Sequence, residues 1–279
     1  MFSMPTPQQI SERRRTFRQL HESGCFVIPN PWDVGSARYL EHLGFKALAT
    51  TSSGAAWRQG QADGQMTLEA VLEHLREMVG ATPLPINADF EAGFASDAAG
   101  VARNVKLALD TGVAGLSIED STGNPDQPLR DIAEAVERVR AARTAIDEAG
   151  GEALLVGRAE NFFAGRPDLD DAIRRLKAYA DAGADCLYAP GIKTREQIAA
   201  VVAAVAPKPV NLLIGFPTEL TLRDIEALGV RRVSVGGALA RSAWGGFMRA
   251  AQAIASEGRF DAFAQAASGA ELNGLLGRN

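Results

Sequence analysis

Carboxylate side chains collect where several apolar segments of the sequence end. Asp89 lies near the end of the segment LPINADF, Glu91 directly follows that segment, and Glu119 lies near the end of the segment AGLSIED. Side chains at positions i and i+2 of a strand share one face, so Asp89 and Glu91 can act on one ligand. Several carboxylates in one place repel one another unless a cation neutralises them. The pattern predicts a divalent cation, and oxygen ligands favour Mg²⁺, with Mn²⁺ as the alternative.

Further polar side chains follow the other apolar segments. They are Asn30, Trp32, Asp33, Thr51, Ser52, Ser53, Asp63, Asp120, Arg158, Glu160, Asn161, Tyr188, Asn211 and Ser234. For any one of these residues a structural role is an alternative to a chemical one, because Asp and Ser before a helix often cap it. Asp33 could thus cap the next helix, Asp120 could orient a loop, and Tyr188 could pack inside the fold.

Other reactive residue types lie away from these positions. His21, His42 and His74 fall in predicted helices and are expected on the surface, which argues against a histidine base. No lysine ends a predicted strand, which disfavours Schiff-base chemistry. Cys25 and Cys186 lie in apolar runs without disulfide or metal-ligand spacing, so both are expected to be small buried hydrophobes.

The elements that must position these side chains alternate along the chain. Short apolar runs predict eight strands, over residues 25–30, 46–52, 84–90, 114–120, 153–159, 185–190, 209–215 and 231–237. Helical periodicity predicts helices between them, over residues 36–42, 67–79, 97–110, 129–148, 169–182, 195–205 and 221–228. This alternation is typical of a parallel sheet with helices outside it.

Glycines mark the step from helix to strand five times, at Gly24, Gly44, Gly112, Gly183 and Gly229. Glycine adopts the left-handed conformation that ends a helix at low steric cost. With no linker-like segment, the pattern predicts an α/β fold, a single (β/α)8 TIM-type barrel. A doubly wound sheet is the rival, but its GxGxxG turn is missing after the first strand. A barrel places the site at the carboxyl ends of its strands.

The 279 residues fit one barrel domain with an extension at each end. We predict an N-terminal helix within 1–22, the barrel over 23–240, and C-terminal helices over 241–279. These last helices are apolar enough to need a partner surface. That surface is either the bottom of their own barrel or, preferably, another subunit, so we predict a homo-oligomer.

Charge and hydropathy narrow the class of partner. The chain has 29 Lys and Arg against 34 Asp and Glu, a net charge of −5, with both signs interspersed. This distribution argues against nucleic-acid binding. No apolar stretch approaches the about 20 residues that cross a membrane, and the first residues lack a secretion signal. We therefore expect a cytoplasmic protein that acts on small molecules.

Four motifs read together, TSSGAAWRQGQAD, INADFEAGF, GLSIED and VGRAENF, resemble those of the isocitrate lyase / phosphoenolpyruvate mutase family. The resemblance covers about residues 9–255. It implies a (β/α)8 barrel in which Mg²⁺ holds a 2-oxo acid or its enolate. It also implies a tetramer, or a dimer, with C-terminal helices exchanged between subunits.

The resemblance also implies roles for individual residues. The metal-associated carboxylates correspond to Asp63, Asp89, Glu91 and Glu119. The substrate-binding arginine corresponds to Arg158, and the carboxylate-binding turn to Thr51, Ser52 and Ser53.

The sequence departs from the family pattern in two places. Lyases acting on isocitrate or methylisocitrate carry a Lys-(Lys/Arg)-Cys-Gly-His loop whose cysteine is an acid/base, and phosphonopyruvate enzymes place lysine there. Here the loop over 121–131 reads STGNPDQPLRD, without Cys, Lys or His. The second aspartate of the usual Asp-x-Asp pair is Glu91, one methylene longer, which keeps the charge but can move the metal or admit a water.

Decarboxylation is the reaction these residues best permit. A metal-bound 2-oxo carboxylate is an electron sink, so a bond at C3 can break to leave an enolate stabilised by charge. In this hypothesis Asp89 holds Mg²⁺ with Glu91, Glu119 and Asp63, directly or through water. The substrate carboxylate binds Arg158 and backbone N–H groups near Ser52 and Ser53. The candidates for proton delivery, or for contact with the far end of the substrate, are Tyr188, Glu160 and Asn211.

The main hypothesis is therefore an oxaloacetate decarboxylase-like enzyme acting on a 2-oxo diacid. One alternative is a carbon–carbon lyase for a 2-hydroxy or alkyl-substituted diacid that uses an acid other than cysteine. The other alternative is a non-catalytic protein that binds 2-oxo acids.

Overall fold

A nearly closed ring of strands forms the centre of the molecule. The computed structural model describes residues 4–277, and over this range eight parallel strands make one sheet. They are β1 (Phe26–Ile28), β2 (Leu48–Ala49), β3 (Ile86–Asp89), β4 (Gly115–Glu119), β5 (Leu154–Arg158), β6 (Cys186–Tyr188), β7 (Val210–Leu213) and β8 (Arg232–Ser234). Each lies inside the corresponding predicted run, so the predicted TIM-type barrel is confirmed.

The strands pair in the order β1-β8-β7-β6-β5-β4-β3-β2, which leaves a seam between β1 and β2. One backbone hydrogen bond crosses the seam, from the Ala49 N–H to the Pro29 carbonyl at 3.1 Å. The side chain of Asn30 adds three more contacts. Its amide donates to the Thr50 carbonyl at 2.8 Å, and its Oδ1 accepts from the N–H groups of Val235 and Gly236, both at 2.9 Å. Asn30 thus ties β1 to both neighbours.

Helices surround this ring and extend beyond it. Over the described residues they are α1 (Pro7–Leu20), α2 (Val34–His42), α3 (Ser52–Arg58), α4 (Leu68–Ala81), α5 (Ala98–Asp110), α6 (Ile132–Glu148), α7 (Leu169–Asp181), α8 (Arg195–Val205), α9 (Leu222–Ala227), α10 (Ala238–Glu257) and α11 (Gly269–Leu276). A short 3₁₀ helix, Asp261–Gln265, separates the last two. Helix α3 was not predicted, because seven residues are too few to show a helical repeat.

Helix α1 closes the amino-terminal end of the barrel. Phe17 is fully buried and packs with Ile28, Ala114 and Leu154, which belong to or adjoin three different strands. The guanidinium of Arg14 donates to the Leu109 and Val113 carbonyls, at 3.0 and 3.1 Å. The predicted N-terminal helix is therefore part of the barrel core. Residues 1–3 and 278–279 of the predicted extensions lie outside the described residues.

The expectation of three surface histidines is wrong for two of them. His42 is exposed, but His21 and His74 are buried. His21 packs edge-on against Phe17 and Phe26, and its Nδ1 lies 2.7 Å from the Phe17 carbonyl oxygen. Burial lowers the pKa of His21 to about 3 and that of His74 to about 4, so both side chains are neutral near pH 7. Neither lies in the cavity described below, and a histidine base stays unsupported.

The C-terminal helices leave their apolar side chains uncovered in the single chain. Within the described part of α10 only Ala240 is buried, whereas Trp244, Phe247 and Met248 are exposed. Contact of these helices with another subunit stays a prediction. None of the described helices is both long and apolar enough to cross a membrane.

Candidate active site

Strand register brings the polar side chains together. Glu119 of β4 lies beside Arg158 of β5, Arg158 beside Tyr188 of β6, and Tyr188 beside Asn211 of β7. Neighbouring strands are about 4.8 Å apart, so these four residues form one layer across half of the barrel. Asp89 ends β3 at the same edge. The carboxyl ends of the strands therefore present one connected polar surface.

A cavity of about 620 Å³ opens at this edge. Its walls include every residue predicted for the site, namely Thr51, Ser52, Ser53, Asp63, Asp89, Glu91, Glu119, Arg158, Glu160, Tyr188 and Asn211. Cavities of this size accommodate small-molecule ligands. The structure thus assembles at one place residues that lie as far apart as 51 and 211 in the sequence.

Arg158 lies at the centre of the acidic residues. Its Nη1 is 3.1 Å from Asp89 Oδ1 and 3.1 Å from Glu119 Oε2, and its Nε donates to Glu160 Oε1. The guanidinium carbon lies 5.2 Å from the centre of the Tyr188 ring, a cation–π contact. Burial opposes the charge of Arg158, but the three carboxylates raise its pKa above the ordinary value. Arg158 is therefore a fixed cation.

Asp89 is held from two directions. Its Oδ2 accepts from the Ser52 N–H at 3.0 Å, at the first residue of α3, and its own N–H donates to Thr50 Oγ1 at 2.9 Å. Thr51 caps α3 through its hydroxyl. The unpredicted helix α3 thus has a clear function, because its first N–H group faces the acidic residues.

Glu91 is a carboxyl group that Arg158 compensates only in part. Burial, with the charges of Asp89, Glu119 and Asp63, raises the pKa of Glu91 to about 8. Its backbone is in the left-handed region, at φ +46°. A non-glycine residue rarely adopts this conformation, and such strain clusters at functional sites. Gly93 follows at φ +82° and completes the turn.

Asp120 positions Glu160 from behind the cavity. It is 1% exposed, its Oδ1 accepts from the Glu160 N–H at 2.8 Å, and its Oδ2 accepts from Arg175 at 3.0 Å and the Tyr179 hydroxyl at 2.5 Å. Burial raises the pKa of Glu160, although Arg158 opposes that rise. The alternative that Asp120 orients a loop agrees with these contacts.

Other residues at strand ends have structural roles. Asp33 caps α2 by accepting from the Ser36 N–H at 2.7 Å, and it does not line the cavity. Asn161 is buried and donates to Asp171 at 2.7 Å, also away from the cavity. Ser234 lies in the cavity wall and accepts from the Asn211 amide at 2.9 Å.

The segment over 121–131 folds beside the cavity. Ser121 and Leu129 form an isolated β-bridge, and the Arg130 N–H donates to the Asp120 carbonyl at 2.9 Å. Helix α6 begins only at Ile132, later than predicted. The Ser121 hydroxyl donates to Glu119 Oε1 at 2.7 Å. The segment lines the cavity with Ser121, Thr122 and Gly123, none of which is an acid/base group near neutral pH.

The lining residues that were not predicted include four large side chains, Trp57, Phe216, Arg232 and Arg241. Arg232 points into the barrel, where it donates to Asn211 Oδ1 at 2.8 Å. Phe216 lies three residues beyond β7, and Arg241 lies in the first turn of α10. The Gly236-Gly237 turn after β8 is the signal that could have located Arg241, because glycines there bring the helix close to the cavity.

The donor chemistry of this site fits a hydrated divalent cation. The carboxyl groups of Asp63, Asp89, Glu91 and Glu119 outnumber the single charge of Arg158, and the raised pKa of Glu91 shows that its ionised form needs a further cation nearby. Among the described residues, no three Asp, Glu, His or Cys side chains form a ready ligand cluster. Mg²⁺ commonly keeps several waters and uses only one or two carboxylates, so a compact protein cluster is not required.

The fold and the site together define a (β/α)8-barrel enzyme with an arginine among carboxylates at the carboxyl ends of its strands. The family model for phosphoenolpyruvate phosphomutase matches residues 17–255. The chain belongs to this family, and the predicted relationship to the phosphoenolpyruvate mutase / isocitrate lyase superfamily is confirmed. It is an enzyme of the carbon–carbon lyase type found in that superfamily, rather than a non-catalytic binding protein.

Known relatives cover most of the chain. An oxaloacetate decarboxylase from Rhodopseudomonas palustris is 33% identical over 224 residues, which span 77% of this chain and 74% of the relative. A crystal structure from Burkholderia cenocepacia, described in general terms as a lyase/mutase, is 46% identical with a TM-score of 0.93, covering 96% of this chain and 98% of the other. The structure of a 2,3-dimethylmalate lyase is 26% identical with a TM-score of 0.84, covering 98% and 96%.

Proposed function

We propose that this enzyme decarboxylates oxaloacetate, or a closely related 2-oxo diacid, in a Mg²⁺-dependent reaction. The observation that carries the proposal is Arg158 held among Asp89, Glu119 and Glu160 at the base of the cavity. The arrangement offers one fixed cation for a substrate carboxylate and excess carboxylates for a metal. The similarity to an oxaloacetate decarboxylase supports the choice of substrate.

Asp89 would hold Mg²⁺, with Glu91, Glu119 and Asp63 binding directly or through water. The metal, when bound, would polarise the 2-oxo acid and act as an electron sink for the bond that breaks. Mn²⁺ satisfies the same oxygen ligands. The Ser52 N–H and the Ser121 hydroxyl orient Asp89 and Glu119 from either side. These hydrogen bonds limit how far either carboxylate can move.

Arg158 and the N–H groups at the start of α3, near Ser52 and Ser53, would bind the substrate carboxylate next to the 2-oxo group. After CO2 leaves, C3 must take up a proton. Tyr188 is suited to this step, because burial raises its pKa to about 12 and its hydroxyl stays protonated near pH 7. Glu160 and Asn211 line the same side of the cavity and would assist or contact the far end of the substrate.

The segment over 121–131 favours decarboxylation over cleavage of a 2-hydroxy acid. Cleavage of that kind needs a base for the hydroxyl and an acid for the departing carbanion. This segment brings only Ser121, Thr122 and Gly123 to the cavity. Decarboxylation needs no base, so it is compatible with the residues present.

The test is pyruvate formation from oxaloacetate, followed by NMR with and without Mg²⁺ and after EDTA treatment. We expect Mg²⁺-dependent turnover that falls by about a thousandfold or more in Asp89→Ala and in Arg158→Ala. Arg174→Ala, an exposed arginine on α7, is the matched control and should retain activity. A folded wild-type enzyme inert to oxaloacetate at saturating Mg²⁺ contradicts the proposal.

A second candidate function is cleavage of an alkyl-substituted 2-hydroxy diacid. An apolar pocket of about 130 Å³ adjoins the main cavity and shares Phe163, Leu213 and Phe216 with it. Such a pocket could take an alkyl group on the substrate, and a 2,3-dimethylmalate lyase is among the similar structures. Product NMR from a panel of 2-oxo and 2-hydroxy diacids distinguishes the two reactions.

We further propose a homo-oligomer, tetramer or dimer, in the cytoplasm. The exposed apolar side chains of α10 support the assembly. The two cysteines are unpaired, which suits a reducing compartment.

A further inference from the structure

Two cations, here called the rim cations, lie beside Phe216 and away from Arg158: Arg241 lines the cavity, and Lys193 lines the adjoining apolar pocket. We propose that Arg241, assisted by Lys193, binds the carboxylate at the far end of a diacid substrate. Arg241 follows β8 and Arg158 ends β5, three strands away around the ring, so the two guanidinium groups approach the cavity from different sides. The inference rests on the proposed function, which assigns the 2-oxo end of the substrate to Arg158.

Phe216 organises the two rim cations. The guanidinium carbon of Arg241 lies 4.8 Å from the centre of the Phe216 ring, and the Lys193 ammonium lies 5.4 Å from it. Arg241 also donates to the Gly215 carbonyl. These contacts orient two positive charges beside one exposed ring, which is 56% exposed. Both charges attract an anion that enters this side of the cavity.

Arg241 has fewer hydrogen-bond and ion-pair partners than the other arginines of the cavity wall. Arg158 already contacts three carboxylates, and Arg232 is buried and bonded to Asn211 and Asn87. Between residues 4 and 277, no ion pair involves Arg241, which is solvent-exposed. Its guanidinium has five N–H donors, and the described contacts use only one side of it. Arg241 is therefore the wall arginine with the most free donors for a second carboxylate, at the end of the substrate away from Arg158.

The position of Arg241 in its helix also favours an anion close to its side chain. It lies in the first turn of α10, where the N–H groups already contribute positive partial charge. A cation is unfavourable there unless an anion is close. The described first turn of α10 contains no acidic residue to supply one.

The volume of the cavity permits a substrate that reaches both ends. At about 30 Å³ per water molecule, 620 Å³ corresponds to roughly twenty waters. That is more than a three-carbon 2-oxo acid fills beside Arg158. A four- or five-carbon diacid would use both the Arg158 end and the Arg241 end, which explains how the enzyme could prefer diacids to monoacids.

The test uses ligand pairs that differ only in the distal group. Oxaloacetate and 2-oxobutyrate form one pair, and 2-oxoglutarate and 2-oxopentanoate the other; in each the distal carboxylate becomes a methyl group. We measure binding affinities by calorimetry in the presence of Mg²⁺. The wild type should bind 2-oxoglutarate more tightly than 2-oxopentanoate. Arg241→Met should weaken diacid binding by about tenfold to a hundredfold and leave the monoacid unchanged.

Matched variants separate recognition from general damage. Arg249→Met makes the same change on the same helix outside the cavity and should bind both pairs as the wild type does. Arg241→Lys keeps the charge and should recover part of the preference, and Lys193→Met should lose part of it. In turnover, Arg241→Met should raise KM for oxaloacetate without lowering kcat, because the distal carboxylate loses its charge as it leaves as CO2.

Failure of this inference and failure of the proposed function are distinguishable. An enzyme that binds 2-oxoglutarate through Arg241 but does not release pyruvate overturns the decarboxylase proposal alone. A wild type without preference for the diacid in either pair overturns the assignment of Arg241. The same holds if the preference survives unchanged in Arg241→Met.

Discussion

At the scale of single residues, the environment of a side chain determines its role more than its type does. Arg158 and Asp89 were predictable because they end strands that alternate with helices, and a barrel brings strand ends together. The burial of His21 and His74 was not predictable, because it depends on distant partners. The Nε2 of His21, for example, lies 3.4 Å from Arg232, which is 211 positions along the chain.

His74 should make the stability of the fold depend on pH. Its folded-state pKa is about 4 against 6.5 for an ordinary histidine, so the neutral form is the one that the fold accommodates. Its stabilising contribution is complete above pH 6.5 and is lost as the pH falls towards 4, because the unfolded chain binds the proton first. Between pH 7.5 and pH 5 the free energy of unfolding should fall by about 2 kcal/mol from this group.

Urea unfolding at pH 7.5 and pH 5.0 measures this loss. The free energy of unfolding of His74→Leu should fall by about 2 kcal/mol less than that of the wild type over that interval, because leucine does not titrate. The buried Nε2 of His74 has no hydrogen-bond partner, so the substitution breaks no hydrogen bond of that atom. His42→Leu, at an exposed position, is the control and should follow the wild type. If His74→Leu and the wild type lose stability equally, His74 is not the titrating group.

At the scale of elements, the strands were predictable because each is a short apolar run that either follows a glycine or ends in polar residues. The seam between β1 and β2 was not, since it depends on the side chain of Asn30 rather than on a strand ladder. Asn30 follows Pro29 and precedes Pro31, so its neighbours Pro29 and Pro31 offer no N–H groups there. The side-chain amide bridges the gap that the prolines leave.

Asn30→Leu should therefore open the barrel at its weakest point. The substitution leaves the Thr50 carbonyl and the N–H groups of Val235 and Gly236 without these partners. Thr50 is buried, whereas Val235 and Gly236 are half-buried, so we expect a loss of about 1–3 kcal/mol in the free energy of unfolding, mostly from the Thr50 carbonyl. Urea unfolding at neutral pH measures it.

A surface substitution serves as the control for Asn30. The side chain of Asn124 is exposed and accepts only from the Asp126 N–H in its own segment. Asn124→Leu should change the unfolding free energy by no more than about 0.5 kcal/mol. Equal losses in the two variants would show that Asn30 does not close the seam.

At the scale of the whole molecule, one end of the barrel is closed and the other is open. Phe17 of α1 fills the amino-terminal end. The site at the carboxyl end was predictable from chain order alone. Its far side was not, because Arg241 and Phe216 come from segments without a motif and reach the cavity only through the path of the loops after β7 and β8.

The C-terminal helices should hold subunits together through the apolar side of α10. Phe247 and Met248 are each 61% exposed, and the Trp244 ring lies 5.5 Å from that of Phe247. Exposed aromatic and methionine side chains in one patch are typical of subunit interfaces.

Light scattering after size-exclusion chromatography should give a dimer or tetramer for the wild type. Phe247→Glu should dissociate it, because each interface would have to bury an unpaired charge. Ser256→Glu adds the same charge near the end of α10, on a different side of the helix from Phe247 and Met248, and should leave the assembly intact. A monomeric wild type, or a Phe247→Glu variant with unchanged mass, would show that this surface has another role.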